Sequence, residues 1–204
     1  MQLTAIHLDY IDRFLEQRKV DFLDFKIELK DHFACEIEEI MQTQKLSFEE
    51  AFVITSKQWK NELESKKEWI ISNERAFPAI IVKSIKTKVL FHYLSVLFLT
   101  LIVGFTFSKL VVESFSLFKY IVGFCGILYF ILKRIINQKK VNTSYRFQFE
   151  YFQLPVIMIF VYFFVLNLSF PFANFIGLIV IADFPFVIYN FYKHQQFIKK
   201  YHLV

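Results

Sequence analysis

Apolar residues follow two different patterns along this chain, and the change comes near residue 88. Before it, apolar residues recur every three or four positions among charged ones, which is typical of helices with one buried face. After it, charged residues become rare and apolar stretches reach about 20 residues, the length that an α-helix needs to cross a bilayer. The pattern predicts an all-α chain, with a polar helical module followed by a transmembrane bundle.

Three helices are predicted in the polar module, residues 1–75. The first lies near the start of the chain, and the second runs from about residue 21 to residue 44. Ser47 and Glu50 have the spacing of a capping box, so a third helix should begin there. No stretch of the module alternates as a strand would, so no strand is predicted. The apolar positions of the three helices are, in order, Ile6, Tyr10, Ile11 and Phe14; Leu23, Ile27, Phe33, Ile37 and Ile40; and Phe48, Phe52, Trp59 and Leu63.

Four stretches of the second part are long and apolar enough to be predicted membrane spans, and together they form a predicted four-helix bundle over residues 89–192. A basic juxtamembrane segment, 76–88, precedes them, and a basic tail, 193–204, follows. The predicted spans are 89–107, 114–132, 152–170 and 174–192, joined by connections 108–113, 133–151 and 171–173.

Lysine and arginine are concentrated in the connection between the second and third predicted spans and in the two segments that flank the bundle. Short loops rich in these residues stay on the cytoplasmic side of a membrane, so both termini and the module are predicted in the cytoplasm of a bacterium with the bundle in its inner membrane. The same connection is a candidate contact for anionic lipid headgroups, although fixing the topology would by itself explain its charge. Its cations are Lys133, Arg134, Lys139, Lys140 and Arg146.

Composition supports two unlike parts. The chain is 55% hydrophobic with 28 Phe, yet 21% of its residues are charged. The first 88 residues contain 14 Lys and Arg against 16 Asp and Glu, so this part is slightly acidic and nucleic acid is not an expected partner. Cys35 and Cys125 fall in different parts, so a disulfide is not expected. The first residues lack the basic and then apolar order of a cleaved signal peptide.

One motif of the module resembles a known family. Asp31 and His32 stand side by side on the second helix, and "SFEEAF", residues 47–52, begins the third. This pattern resembles the short cytoplasmic helical modules called HAAS or permease-prefix domains, and the whole layout resembles small four-span membrane proteins of flavobacterial type. The resemblance implies a regulatory or interaction module rather than an enzyme, and it covers about residues 20–60.

Asp31, His32 and Glu36 form a candidate interaction motif. His32 also lies three and four residues before Cys35 and Glu36, a spacing that can bring two metal ligands together. A closed zinc site requires four ligands and the chain has no second such pair, so neither a metal nor a cofactor is predicted. His32 is expected instead to pack at a helix interface and to donate a hydrogen bond to a neighbouring helix.

Asp183 is predicted near the middle of the fourth span, where a charge costs at least about 2.5 kcal/mol. Pro185 would free backbone carbonyl groups nearby and favour a polar pocket. Asn167 and His92 are candidate members of an intramembrane polar site with Asp183, and Ser95 and Thr100 are further candidate partners. The alternative is that Asp183 is protonated and bonds across helices only to hold them together.

No motif for catalysis is present: the chain has no GxSxG, HExxH, phosphate-binding or dinucleotide-binding sequence. The leading hypothesis is a non-enzymatic membrane protein whose residues 1–75 bind a protein partner at the inner membrane, with the lipid bilayer as the environment of the bundle. The alternative is a subunit of a transporter or channel in which Asp183 holds an ion or a proton.

Overall fold

The computed structural model describes residues 3–68, 72–106, 115–138, 140–151 and 170–203. These residues are mostly helical, with one pair of short strands. The elements in chain order are α1 (Ala5–Gln17), α2 (Leu23–Gln44), α3 (Phe48–Gln58), β1 (Ser65–Glu68), β2 (Ser72–Pro78), α4 (Ala79–Thr106), α5 (Phe115–Gln138), α6 (Ser144–Tyr151) and α7 (Phe170–Lys200).

The chain divides into two units. The first consists of residues 1–87 together with Asn142–Ser144, and the second of residues 88–141 and 145–204. The three residues 142–144 therefore belong to the first unit, although their neighbours in the chain on both sides belong to the second.

In the first unit, α1 and α2 pack through apolar residues at helical spacing. Ile11 and Leu15 of α1 and Phe33 and Ile37 of α2 are buried. The sequence placed Ile6 on the apolar face of the first helix, but this side chain is 79% exposed. The first turn of α1 is itself covered, because the ring of the neighbouring His7 stacks on Phe48, so Ile6 lies on a side of the helix that faces away from this contact.

The third helix begins as the capping box predicts. The Glu50 N–H donates to Ser47 Oγ at 3.3 Å, and the Ser47 N–H donates to Glu50 Oε2 at 3.0 Å. These two bonds satisfy backbone donors that a helix start otherwise leaves free. Of the four predicted apolar positions Phe48, Phe52 and Leu63 are buried, and Trp59 is half-buried.

The absence of strands from the module was a wrong prediction, because β1 and β2 form an antiparallel pair with Ser65 opposite Pro78 and Glu68 opposite Ser72. The strands "SKKE" and "SNERAFP" are polar and do not alternate, so the sequence carries no period-2 signal. The pair leads directly into α4, whose first N–H groups donate to the carbonyls of Glu64 and Glu62. The start of α4 is thereby capped by the chain that precedes β1.

Residues 142–144 close the first unit against the N-terminal end of α2. The Leu23 N–H donates to the Asn142 carbonyl at 2.9 Å, and the Asn142 side-chain amide donates to the Asp21 carbonyl at 3.0 Å. The Ser144 N–H donates to Asp24 Oδ1 at 2.8 Å, and the Ser144 hydroxyl donates to Asp24 Oδ2. Asp24 thus accepts two bonds from the residue at which α6 begins.

In the second unit, α5 and α7 pack along their lengths. Their shared core is apolar and includes Phe149 of α6. The buried members are Val122, Cys125, Tyr129, Ile136, Phe149, Ile176, Val180, Phe184 and Val187.

Three helices of the described residues are long and apolar enough to cross a membrane: Ala79–Val103, Tyr120–Gln138 and Ile176–Lys200. They overlap the first, second and fourth predicted spans. Residues 152–169, almost all of the third predicted span, lie outside the described residues. The predicted connection 171–173 was wrong, because α7 begins at Phe170 and runs without a break to Lys200.

Candidate intramembrane polar site

His92 and Asp183 meet between α4 and α7. His92 Nε2 is hydrogen-bonded to Asp183 Oδ1. The Asp183 side chain is 5% exposed and the His92 side chain 14%, so both polar groups are removed from the surface of the second unit. The sequence named His92 as one of several possible partners of Asp183, and the structure brings these two side chains together.

Aromatic residues hold the His92 ring in place. The ring of Phe186 stacks on it, with centroids 3.9 Å apart and planes inclined by 16°. Tyr93 contacts it at 5.4 Å in a tilted arrangement. Phe186 lies three residues after Asp183, one turn along α7, so one face of this helix both forms the hydrogen bond with His92 and packs against its ring.

A cleft of about 300 Å³ opens beside His92. Ser95, Ala182, Pro185 and Tyr189 are among its lining residues. Pro185 lies inside α7 and has no backbone N–H. The carbonyl of Ile181, four residues earlier, therefore lacks the usual helical donor on this side of the cleft. The cleft is mainly apolar, and its described lining residues include two with ionisable side chains, His92 and Tyr189.

The other proposed partners of Asp183 behave differently. The Ser95 hydroxyl donates to the Phe91 carbonyl of its own helix at 2.8 Å. Thr100 is buried, and its hydroxyl has no hydrogen-bond partner in the described part of the protein. Asn167 lies outside the described residues.

A proton can pass between a histidine and the aspartate bonded to it without changing the net charge of the pair. The arrangement is neutral whether the proton is on the imidazole, which makes an ion pair, or on the carboxyl, which makes a neutral pair. Either form avoids the cost of an isolated charge in a membrane span, and addition or removal of one proton makes the pair charged. The pair joins α4 to α7, and it contains two groups that can each gain or lose a proton.

The three residues of the candidate motif on α2 differ in their exposure to solvent. Asp31 and His32 are exposed, so the prediction that His32 packs at a helix interface was wrong. Glu36 accepts a hydrogen bond of 2.6 Å from the indole N–H of Trp59 and so joins α2 to the end of α3. Cys35 is exposed. Among the described residues no three His, Cys, Asp or Glu side chains are grouped as metal ligands would be.

The five cations of the basic connection have unlike surroundings. Arg134 and Lys140 are exposed, and Lys133 lies over the ring of Tyr129 at 6.0 Å. Arg146 makes an ion pair of 2.8 Å with Glu150, so part of its charge is already compensated. Lys139 lies outside the described residues.

A charged cluster between α1 and α2 was not found from the sequence, because its members are far apart in the chain. Lys26 Nζ lies 2.9 Å from Asp12 Oδ2 and 2.7 Å from Glu16 Oε1, and Lys30 approaches Asp12 at 3.4 Å. Burial disfavours the charged form of Asp12, but the hydrogen bond and charge of Lys26, with those of Lys30, outweigh it and lower its pKa. Burial likewise opposes ionisation of Lys26, whose pKa is nevertheless raised by Glu16 and Asp12.

Buried polar residues of α7 were also missed. Asn190 and His194 are buried on the face that carries Asp183. Asn190 follows Asp183 by seven residues, and His194 follows Asn190 by four. The signal is present in the sequence, because these spacings place residues on one helix face. It was overlooked because both residues were assigned to the end of the span and the solvated tail.

Comparison of the chain with protein-family models, with curated proteins and with solved structures found no match.

Proposed function

We propose that this chain is a non-enzymatic multi-pass protein of a bacterial inner membrane, with four spans and both termini in the cytoplasm. Its first unit is the module that binds or regulates a protein partner at the membrane. The three long apolar helices support membrane insertion, and the basic connection and tail support the orientation.

The observation that carries this proposal is an apolar strip on the outside of the first unit. Ile6 and Tyr10 lie one turn apart on α1 and are 79% and 55% exposed, in a unit that buries most of its other large apolar side chains. Tyrosine is enriched at protein interfaces, where a buried aromatic anchor with an apolar neighbour supplies much of the binding energy. Tyr10 is held rigidly, because its ring makes edge contacts with Phe48 and Phe52.

The exposed part of the α2 motif adds a polar feature to the same unit. Asp31 and His32 are both open to solvent. The resemblance of this motif and of residues 47–52 to HAAS or permease-prefix domains supports the same role. Glu36 contributes through its bond to Trp59, which positions α3 rather than the partner.

Site-specific photo-crosslinking in native membranes tests the partner-binding role. A benzophenone amino acid at position 6 is expected to give one dominant adduct, and the same group at Glu28, an exposed polar position on α2, is the matched control. The adduct is also expected to weaken when Tyr10 is changed to Ser. Identical adducts from both positions, or none from position 6, would contradict the proposal.

A second candidate function is proton or ion transfer by the bundle as a subunit of a transporter or channel, and the His92–Asp183 pair favours it. Purified protein in liposomes that contain a pH-sensitive dye is driven by a potassium diffusion potential. Proton entry above that of empty liposomes is expected, and Asp183→Asn should abolish it while Tyr192→Phe, an exposed position on the same helix, leaves it unchanged. Equal flux with Asp183→Asn would exclude the site.

A further inference from the structure

A further cavity lies in the first unit, between the end of α1 and the chain that connects α3 to β1. Its volume is about 490 Å³, which is within the range of small-molecule sites in proteins. Its lining is mainly polar, unlike that of the cleft beside His92. The lining residues include Gln17, Arg18, Lys60, Asn61, Leu63 and Glu64. A cavity of this size and polarity suits a small polar ligand.

The backbone on both sides of this cavity is fixed. On the α1 side, the chain reverses directly after Arg18, because Lys19 adopts the left-handed conformation, with φ at 62°. On the other side, the Glu64 carbonyl accepts a hydrogen bond of 2.9 Å from the Ala79 N–H. Leu63, next to Glu64, is 2% exposed and anchors this segment in the core. The cavity is therefore preformed, so a ligand pays little for ordering the backbone around it.

Two residues with cationic side chains line this cavity, one on each side. Arg18 lies at the end of α1, and Lys60 lies in the turn that follows α3. Neither makes an ion pair within the described part of the chain, although Glu64 lines the same cavity. The Arg18 guanidinium lies 5.2 Å from the centroid of the Phe14 ring, a contact that restrains its position. The cavity therefore has two cations that no described carboxylate neutralises.

These charges indicate the class of ligand. Arginine binds a phosphate group through two N–H groups of its planar fork, and lysine binds it as a point charge. A phosphate monoester carries a charge of about −1.5 to −2 at pH 7, which matches two cations, whereas a single carboxylate matches one. The side chains of Gln17, Asn61 and Glu64 offer donors and acceptors for hydroxyl groups. A sugar phosphate combines one phosphate with several hydroxyl groups.

We propose that this cavity binds a water-soluble phosphate monoester of the sugar-phosphate class. The phosphate lies between Arg18 and Lys60, and the hydroxyl groups bond to Gln17, Asn61 and Glu64. This site gives the first unit a ligand-binding function beyond partner recognition. The proposal is independent of both functions above, because neither of them uses these residues.

Isothermal titration calorimetry of the purified full-length protein with ribose 5-phosphate tests the site. Binding is expected, and Arg18→Gln and Lys60→Gln should each raise the Kd by about 10- to 150-fold, because each removes a hydrogen bond between charged groups. Glu64→Gln should instead lower the Kd by about two- to fivefold, because it removes a negative charge beside the phosphate. All three residues are exposed, so the variants should fold as the wild type does. Absence of wild-type binding would overturn the proposal.

Arg13→Gln and Lys57→Gln are the matched controls. Both residues are exposed on α1 and α3, and each change removes one positive charge outside the cavity lining. The Kd for ribose 5-phosphate should stay at the wild-type value in both. A rise as large as that in Arg18→Gln or Lys60→Gln would show general attraction of anions to the first unit and would overturn the site.

Two competitors distinguish the source of the phosphate. Inorganic phosphate should compete with ribose 5-phosphate more weakly than unlabelled ribose 5-phosphate does, because it lacks the hydroxyl groups; equal competition would overturn the sugar-phosphate class. Phosphatidic acid in the detergent micelles offers the same monoester on a lipid. Competition by phosphatidic acid that is stronger than that by ribose 5-phosphate would overturn the water-soluble ligand and assign the cavity to a lipid headgroup.

Discussion

Lys26 is the charged residue through which α1 and α2 are joined. Its ammonium group contacts Asp12 and Glu16, and its side chain is 16% exposed, so both carboxylates neutralise a charge that is largely removed from water. Burial opposes the charged forms of Asp12 and Lys26, but each of them favours the charged form of the other. The pKa of Asp12 is therefore lowered and the pKa of Lys26 is raised.

Asp12→Asn is expected to lower the free energy of unfolding of the first unit by about 1 kcal/mol at pH 7. Since the pKa of Asp12 is lower in the folded state, its contribution is complete above the ordinary value of 3.8 and is lost as the pH falls through the folded value. The variant should therefore lose less stability on acidification than the wild type. Urea unfolding followed by tryptophan fluorescence measures this, because both Trp of the chain precede residue 88 in the sequence and Trp59 packs against Phe33 of the first unit.

Asp9→Asn is the matched control. Asp9 pairs with Arg13 on α1, but both side chains are mainly exposed, so the change should alter stability by a few tenths of a kcal/mol at most. Equal effects of Asp9→Asn and Asp12→Asn would show that the partly buried position of Lys26 is unimportant.

Ser47→Ala should destabilise the first unit by about 1 kcal/mol, because it removes the acceptor of the Glu50 N–H. The same urea experiment measures the loss. Ser56→Ala, which removes a hydroxyl that bonds within α3 to the Val53 carbonyl, is expected to have little effect. A larger loss from Ser56→Ala than from Ser47→Ala would contradict the capping explanation.

Elements differ in how far the sequence predicts them. The starts of α2 and α3 were predicted to within two residues, since local periodicity and the Ser47 capping box determine them. The strand pair was missed, because its pairing is fixed by the bonds of Ala79 and Ile80 to the chain before β1 and by Phe77, which stacks on Phe22. These contacts join residues that are far apart in the sequence, so a local pattern of apolar and polar residues cannot predict them.

Asp24→Ala tests the contact between the start of α2 and residues 142–144. The change leaves the Ser144 N–H without its acceptor in a buried position, at a cost of about 1–3 kcal/mol. Hydrogen exchange of the amides at 142–144 should therefore become about 5- to 150-fold faster in the full-length protein, measured by mass spectrometry. Asp31→Ala, at an exposed position of the same helix, should leave this exchange unchanged. Unchanged exchange in Asp24→Ala would show that Asp24 does not hold this segment.

At the scale of the whole molecule, the sequence predicted the long apolar helices of the chain better than its sites. Long apolar helices follow from composition, which does not depend on tertiary contacts. Asp183 was recognised as unusual because it interrupts an apolar stretch, but His92 could be named only among several partners. The choice depends on how α4 and α7 meet at Phe186, which no pattern within either helix determines.

The number of spans is tested with a membrane-impermeant maleimide. Cys35 is exposed and Cys125 buried, so the native chain offers one accessible thiol in the first unit. Inside-out vesicles should be labelled at Cys35 and right-side-out vesicles should not. In a Cys35→Ser background, Gln196→Cys at an exposed position near the end of α7 should label from the same side. Labelling from opposite sides would mean an odd number of spans and would exclude the four-span topology.

The position of Asn142–Ser144 in the first unit sets the order in which the chain is completed during synthesis. Ser144 follows Asp24 by 120 residues, so at about 5–20 residues per second the ribosome adds it about 6–24 s later. α4 and α5 are made in this interval. The first unit therefore starts to fold early but acquires its last hydrogen bonds only after both apolar helices have been translated, and its completion marks a late stage in the biogenesis of the protein.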